Sequence, residues 1–125
     1  PRNPFMSGPL GILYRHARKE LPPPGQPGIF ALGGDHALED VLSESGFTEV
    51  RAETHSVSLR LDSADAALDM MQAAFGVYRA AVAELSDAGR AAAWSEVRDF
   101  LSQFETESGW KTELEVVIGA GAASP

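Results

Sequence analysis

Phe30–Glu53, FALGGDHALEDVLSESGFTEVRAE, reads as a loop, a capped helix, a glycine stop and the entry to a strand. Asp35 is the expected N-cap, because its short carboxylate can accept hydrogen bonds from the amides of the first turn. Leu38, Val41 and Leu42 fall three and four apart and make a short apolar stripe. Gly46 stands where a helix ends in the left-handed conformation, and Phe47 is the apolar residue that folds back over the last turn.

Downstream, Thr48–Leu61 alternates as a strand does, but Val50 and Ala52 share one parity while Val57, Leu59 and Leu61 share the other. One extra residue reverses parity, which predicts a bulge within Thr54–Ser56. Asp62 and Ser63 cap the next helix. Its apolar positions Ala67, Met71, Phe75, Tyr78, Val82 and Leu85 carry it through Gly76, a candidate kink, to Leu85. Ser86 and Asp87 restart a helix, on which Ala93, Trp94, Val97, Phe100, Leu101 and Phe104 make the widest apolar face in the chain. That helix is expected to stop before Gly109. Trp110–Ile118 sets Thr112, Leu114, Val116 and Ile118 against Lys111, Glu113 and Glu115, a half-buried strand with its two glutamates on the solvated side. The tail GAGAASP reads as frayed. Two independent apolar patterns predict that Phe47, Val97, Phe100 and Phe104 are buried.

Upstream, Asn3-Pro4 is a cap followed by a first-turn proline, and Ser7-Gly8-Pro9 repeats the signal. A short turn and then a helix follow from this, with Leu10, Leu13, Ala17 and Leu21 on one face. Tyr14 stands beside that face, and Arg15, Arg18 and Lys19 lie on the other side near the carbonyl end, where cations relieve the helix dipole. Pro22–Gly28, PPPGQPG, removes amide donors and raises the entropy cost of order, so it is a surface loop or hinge.

A chain of 125 residues with 44% hydrophobic and 22% charged content is one globular domain by the usual length prior, with one core as the default. Its 18 acidic and 10 basic residues give a net charge of -8, which opposes nucleic acid and anionic membrane surfaces as partners. Uncharged runs fall well short of the roughly 18 apolar residues of a membrane span, and no signal peptide is visible. Zero cysteines remove disulfides and thiolate chemistry, and a cytoplasmic location is expected. Two strands and about four helices make an α+β unit. An isolated two-stranded sheet is marginal in water, so the strands expect partners beyond these residues.

Catalytic motifs are absent from the residue pattern. His16, His36 and His55 lie about twenty residues apart without a second ligand at helical or hairpin spacing, so no metal site is expected. Gly33-Gly34 precedes a capped helix and Gly119-Ala120-Gly121 has no helix after it; neither is a phosphate fingerprint. No G-x-S-x-G elbow occurs. His16, near Tyr14 on the first helix, is the histidine to watch as a proton acceptor, with a solvated helix surface as the plain alternative.

Leu38–Phe47 with its Gly-Phe ending resembles the helix before the penultimate strand of class I S-adenosylmethionine-dependent methyltransferases. Asn3-Pro4-Phe5 is similar to the Asn-Pro-aromatic turn of the ubiquinone/menaquinone-biosynthesis-like members. Thr48–Leu61 and Trp110–Ile118 resemble the last two strands, an antiparallel hairpin at the edge of an otherwise parallel sheet, with Asp62–Glu107 as a helical insertion. The resemblance implies an α/β fold: the C-terminal part of a Rossmann-like methyltransferase. Residues 1–21 would be lid-like, 22–34 a loop, 35–61 helix and strand, 62–109 the insertion and 110–119 the last strand. The family's glycine-rich loop and acidic ribose-binding position have no counterpart here. The cofactor, S-adenosylmethionine in a complete enzyme, is therefore expected to have no binding residue in this chain, which would be inactive alone. Phe5, Met6, Tyr14, His16, Met70, Met71, Phe75 and Tyr78 are the candidates for a substrate-facing wall, and the apolar ones have core packing as the alternative. Implied partners are a small-molecule methyl acceptor and either the missing N-terminal half or a second copy of the chain. The rival is a stand-alone acidic α+β ligand-binding or dimeric interaction module without catalysis.

Overall fold

The computed structural model describes residues 3–23 and 26–124. Along them run α1 (Pro4–His16), α2 (Ala37–Glu44), β1 (Thr48–Leu61), α3 (Ala64–Ala74), α4 (Gly76–Val82), α5 (Asp87–Leu101), a 3-10 turn (Ser102–Phe104), β2 (Glu105–Thr106) and β3 (Gly109–Ala122). The class is mixed α/β, and the strands form an antiparallel sheet in the order β1-β3-β2. The short β2, which the residue pattern did not predict, pairs Glu105 with Trp110 and Thr106 with Gly109. The chain divides into two compact units, Pro1–Leu21 with Ser58–Glu113 and Pro22–Val57 with Leu114–Pro125. The division cuts through β1 and β3, and every buried residue among those described belongs to the first, helical unit. One core, the default expected from length, thus lies within the helical unit, and the second unit is open.

In the helical unit, α1 is one helix from Pro4, not a turn followed by a helix, although Pro9 lies inside it. A proline in a helix interior costs roughly 3 kcal/mol. Burial of Phe5, Leu10 and Leu13, at roughly 1.5 to 3 kcal/mol each, outweighs that. The helix ends at His16, earlier than its apolar pattern suggests, because Arg18 is left-handed at φ 56. Lys19 N–H then bonds Tyr14 O and Arg18 N–H bonds Arg15 O, the paired bonds of a Schellman end. Ala17 is left as the cap, and Leu21 lies outside the helix, 54% exposed.

Ser63 caps α3 by accepting from Ala66 N–H at 3.1 Å, and Ser86 caps α5 by accepting from Gly89 N–H at 3.1 Å. The helix expected over 64–85 breaks at Phe75 (φ -102, ψ 87), which ends α3 and begins α4. Ala67, Met71, Tyr78 and Val82 are buried from its two halves, and Ala93, Val97 and Leu101 from α5. Phe100 and Phe104 are only half-buried, contrary to expectation. Their rings instead make an edge-on chain, Phe100 to Phe104 at 5.9 Å and Phe104 to Trp110 at 5.7 Å. Gly8 explains where Phe100 goes: a Cβ there would sit 2.2 Å from the Phe100 ring, so the ring lies flush on the α1 backbone.

In the second unit, α2 starts after His36, which is left-handed at φ 60 and makes no side-chain cap. Asp35 is therefore not the N-cap. His36 Nδ1 instead lies 3.0 Å from Glu39, whose carboxylate raises the imidazole's proton affinity. The C-terminal end follows the residue pattern: Gly46 has φ 96, Gly46 N–H bonds Ser43 O and Phe47 N–H bonds Leu42 O. Phe47 itself is 40% exposed, not buried. The half-buried positions of β1 change parity between Ala52 and Leu59, as expected. The strand nevertheless runs unbroken from Thr48 to Leu61, and its one left-handed residue is Glu49, not a member of Thr54–Ser56. The parity change coincides with the passage of the chain from one compact unit to the other.

The GAGA tail is ordered strand through Ala122, not frayed. Its glycines admit α2: a Cβ at Gly119 would come within 2.7 Å of Leu38 Cδ2 and 3.1 Å of Leu42 Cδ1. One at Gly121 would lie 2.9 Å from Phe47 Cβ. Small residues thus let the apolar stripe of α2 rest directly on the strand.

Candidate functional site

Aromatic and methionine side chains of the helical unit segregate by depth. Phe5, Met71 and Tyr78 are enclosed, and Met6, Tyr14, His16, Met70 and Phe75 are half-buried. The three enclosed residues are core, so a ligand reaching this unit meets the half-buried set first. Met6, Phe75 and Tyr78 are brought together: the Tyr78 hydroxyl donates to Met6 O at 2.6 Å, and its ring lies 5.3 Å from that of Phe75. Burial pushes the Tyr78 phenol up to about 12. It is a neutral, committed donor, not an acid for chemistry near neutral pH.

Below pH ~10 the phenol is neutral in the folded and the unfolded chain alike, and the group adds no pH dependence. Between the ordinary phenol value and the folded value of about 12, only the unfolded chain ionises, so stability falls as pH rises through this window. Alkaline unfolding followed by phenolate absorbance should show one tyrosine ionising together with loss of structure. In Tyr78→Phe that coincident step should vanish.

Tyr14 and His16 are not part of the Met6 group. His16, 24% exposed at the end of α1, places Nε2 3.1 Å from Glu96 Oε1 on α5, and the Arg15 guanidinium donates to Glu96 Oε2. Glu96 is thereby shared between a cation and an imidazole. A carboxylate held on one ring nitrogen orients the imidazole and leaves the other nitrogen for a proton. Nothing local in the sequence marks Glu96, because its partners lie 80 and 81 positions away.

The unit also carries a cleft of about 460 Å³ lined by Pro4, Phe104, Lys111, Thr112 and Glu113. Lys111 Nζ lies 3.2 Å from Glu113, and the Ser58 hydroxyl donates to the same carboxylate at 2.8 and 3.1 Å. The Ser58 bond first, then Lys111, holds the Glu113 carboxyl below its usual range. The pattern of the strand presents Glu113 as merely solvated; its role in an ordered pair with Ser58 depends on strand register.

No group of three or more histidine, aspartate or glutamate side chains that could hold a metal occurs among the described residues. Gly33 and Gly34 precede a helix of eight residues with no strand before it among the described residues, and Gly119 and Gly121 are covered by Leu38, Leu42 and Phe47. No described helix is long and apolar enough to cross a membrane. Comparison with family models, with curated proteins and with solved structures finds no match to the chain.

Proposed function

We propose that the chain is the substrate-side, C-terminal portion of an S-adenosylmethionine-dependent methyltransferase, and that it is inactive without further elements that hold the cofactor. The observation that carries this reading is the pairing of two long antiparallel neighbours, β1 and β3, bridged by α3, α4 and α5 and preceded by the Gly46-Phe47 ending of α2. That is the arrangement the sequence resemblance implies. Met6, Tyr14, Phe75 and the His16–Glu96 pair are the part of the proposed wall open to a small-molecule acceptor. In that role His16 takes a proton from an acceptor hydroxyl or amine, with Glu96 fixing the ring. The reading places the cofactor on further elements, so no methyl-transfer step is assigned to these residues.

A second reading, a self-sufficient interaction module, is favoured by the closed core of the helical unit. Among the described residues that core leaves no buried side-chain nitrogen or oxygen without a partner. Calorimetry separates the two. The chain alone should give no heat with S-adenosylmethionine, and the chain extended by its upstream coding sequence should bind it. A dissociation constant near micromolar for the chain alone, about -8 kcal/mol, would place the cofactor site within these residues and overturn the assignment. Absence of binding in the extended protein would favour the module.

A further inference from the structure

In the second unit, β3 has β1 on one edge, and its other edge carries no strand from Leu114 to Ala122 among the described residues. Side chains alternate along a strand, so Val116 and Ile118 lie on the face opposite Gly119 and Gly121, which is the face opposite α2. They are 38% and 59% exposed. An unpaired edge recruits another strand unless charge or shape blocks it.

We propose that this edge pairs antiparallel with the same edge of a second copy, about a twofold axis through Val117. A closed twofold makes a strand its own partner, and antiparallel pairing is the arrangement that satisfies it. This axis sets Val116 opposite Ile118 of the second copy on both sides, joining two exposed apolar pairs into one patch. Glu115 then faces Gly119, and Leu114 faces Ala120, so no like charges are opposed. Moving the axis to Leu114 would set Glu113 against Glu115, which is destabilising. The net charge of -8 on each copy opposes association, so the dimer strengthens as salt screens that repulsion. The dimer is a property of the chain by itself, and its test involves no cofactor, so its failure is distinguishable from a failure of cofactor binding.

The chain contains no cysteine, so Val117→Cys introduces a single thiol at the axis. Sedimentation of the unaltered chain should show a dimer that grows with concentration and with salt, and mild oxidation of Val117→Cys should give a disulfide-linked dimer. Val57→Cys, on β1 and exposed, should cross-link only at the background level of random collision. Ile118→Lys, with unchanged circular dichroism, should return the chain to monomer. A monomer at all concentrations would overturn the proposal, as would equal cross-linking at residues 57 and 117. So would β3 amides that become protected only in the extended protein, an outcome that would assign the edge to the rest of the same molecule.

Discussion

Replacing Trp110 by alanine is expected to lower the unfolding free energy by about 3 to 5 kcal/mol. Trp110 is the largest of the fully buried side chains, 1% exposed at the start of β3. Its ring meets Phe5 edge-on at 6.2 Å and Phe104 at 5.7 Å, so truncation opens a cavity between α1 and the turn after α5. The indole Nε1 also donates to Leu101 O at 2.8 Å, and alanine removes that buried hydrogen bond. Phenylalanine at this position keeps most of the volume but still loses the hydrogen bond. The urea midpoint should therefore fall least in Trp110→Phe and furthest in Trp110→Ala. An unchanged midpoint in Trp110→Ala would show that the aromatic chain does not hold the helical unit together.

Gly109→Ala should be almost as damaging, although it adds only a methyl group. Gly109 has φ +137, a region nearly closed to other residues, and a Cβ would lie 2.8 Å from Leu61 O. Strained backbone of this kind costs on the order of 1 to 3 kcal/mol. The contact adds to it, because the opposing atom is backbone and cannot swing away. Gly11→Ala is the control: no atom lies within 4 Å of a Cβ there, and alanine favours a helix interior over glycine. Thermal unfolding should place Gly109→Ala well below the unaltered chain and Gly11→Ala at or above it. Equal midpoints for the two variants would mean that β3 can shift to relieve the clash.

The candidate site divides along the same line as the fold. The sequence picked out Phe75 and Tyr78 through helical spacing and Met6 through the resemblance, and α1 and α4 bring them together. It gave no sign of Glu96 or of the Ser58–Glu113 pair, since those contacts join residues 80 and 55 positions apart.

Local chemistry alone determined the β1 boundaries, the caps at Ser63 and Ser86, the glycine end of α2 and the change of parity along β1. Each depends on bonds within a few residues or on the period of the strand, so the information lies in neighbouring letters. Tertiary structure decided the rest. Phe47, Phe100 and Phe104 carry the pattern of core residues, but whether an apolar side chain is covered depends on what the remaining chain brings over it. Pro9 stays helical because burial of its neighbours exceeds its local penalty. The GAGA tail, weak as an isolated strand, is ordered because its missing side chains make room for Leu38, Leu42 and Phe47.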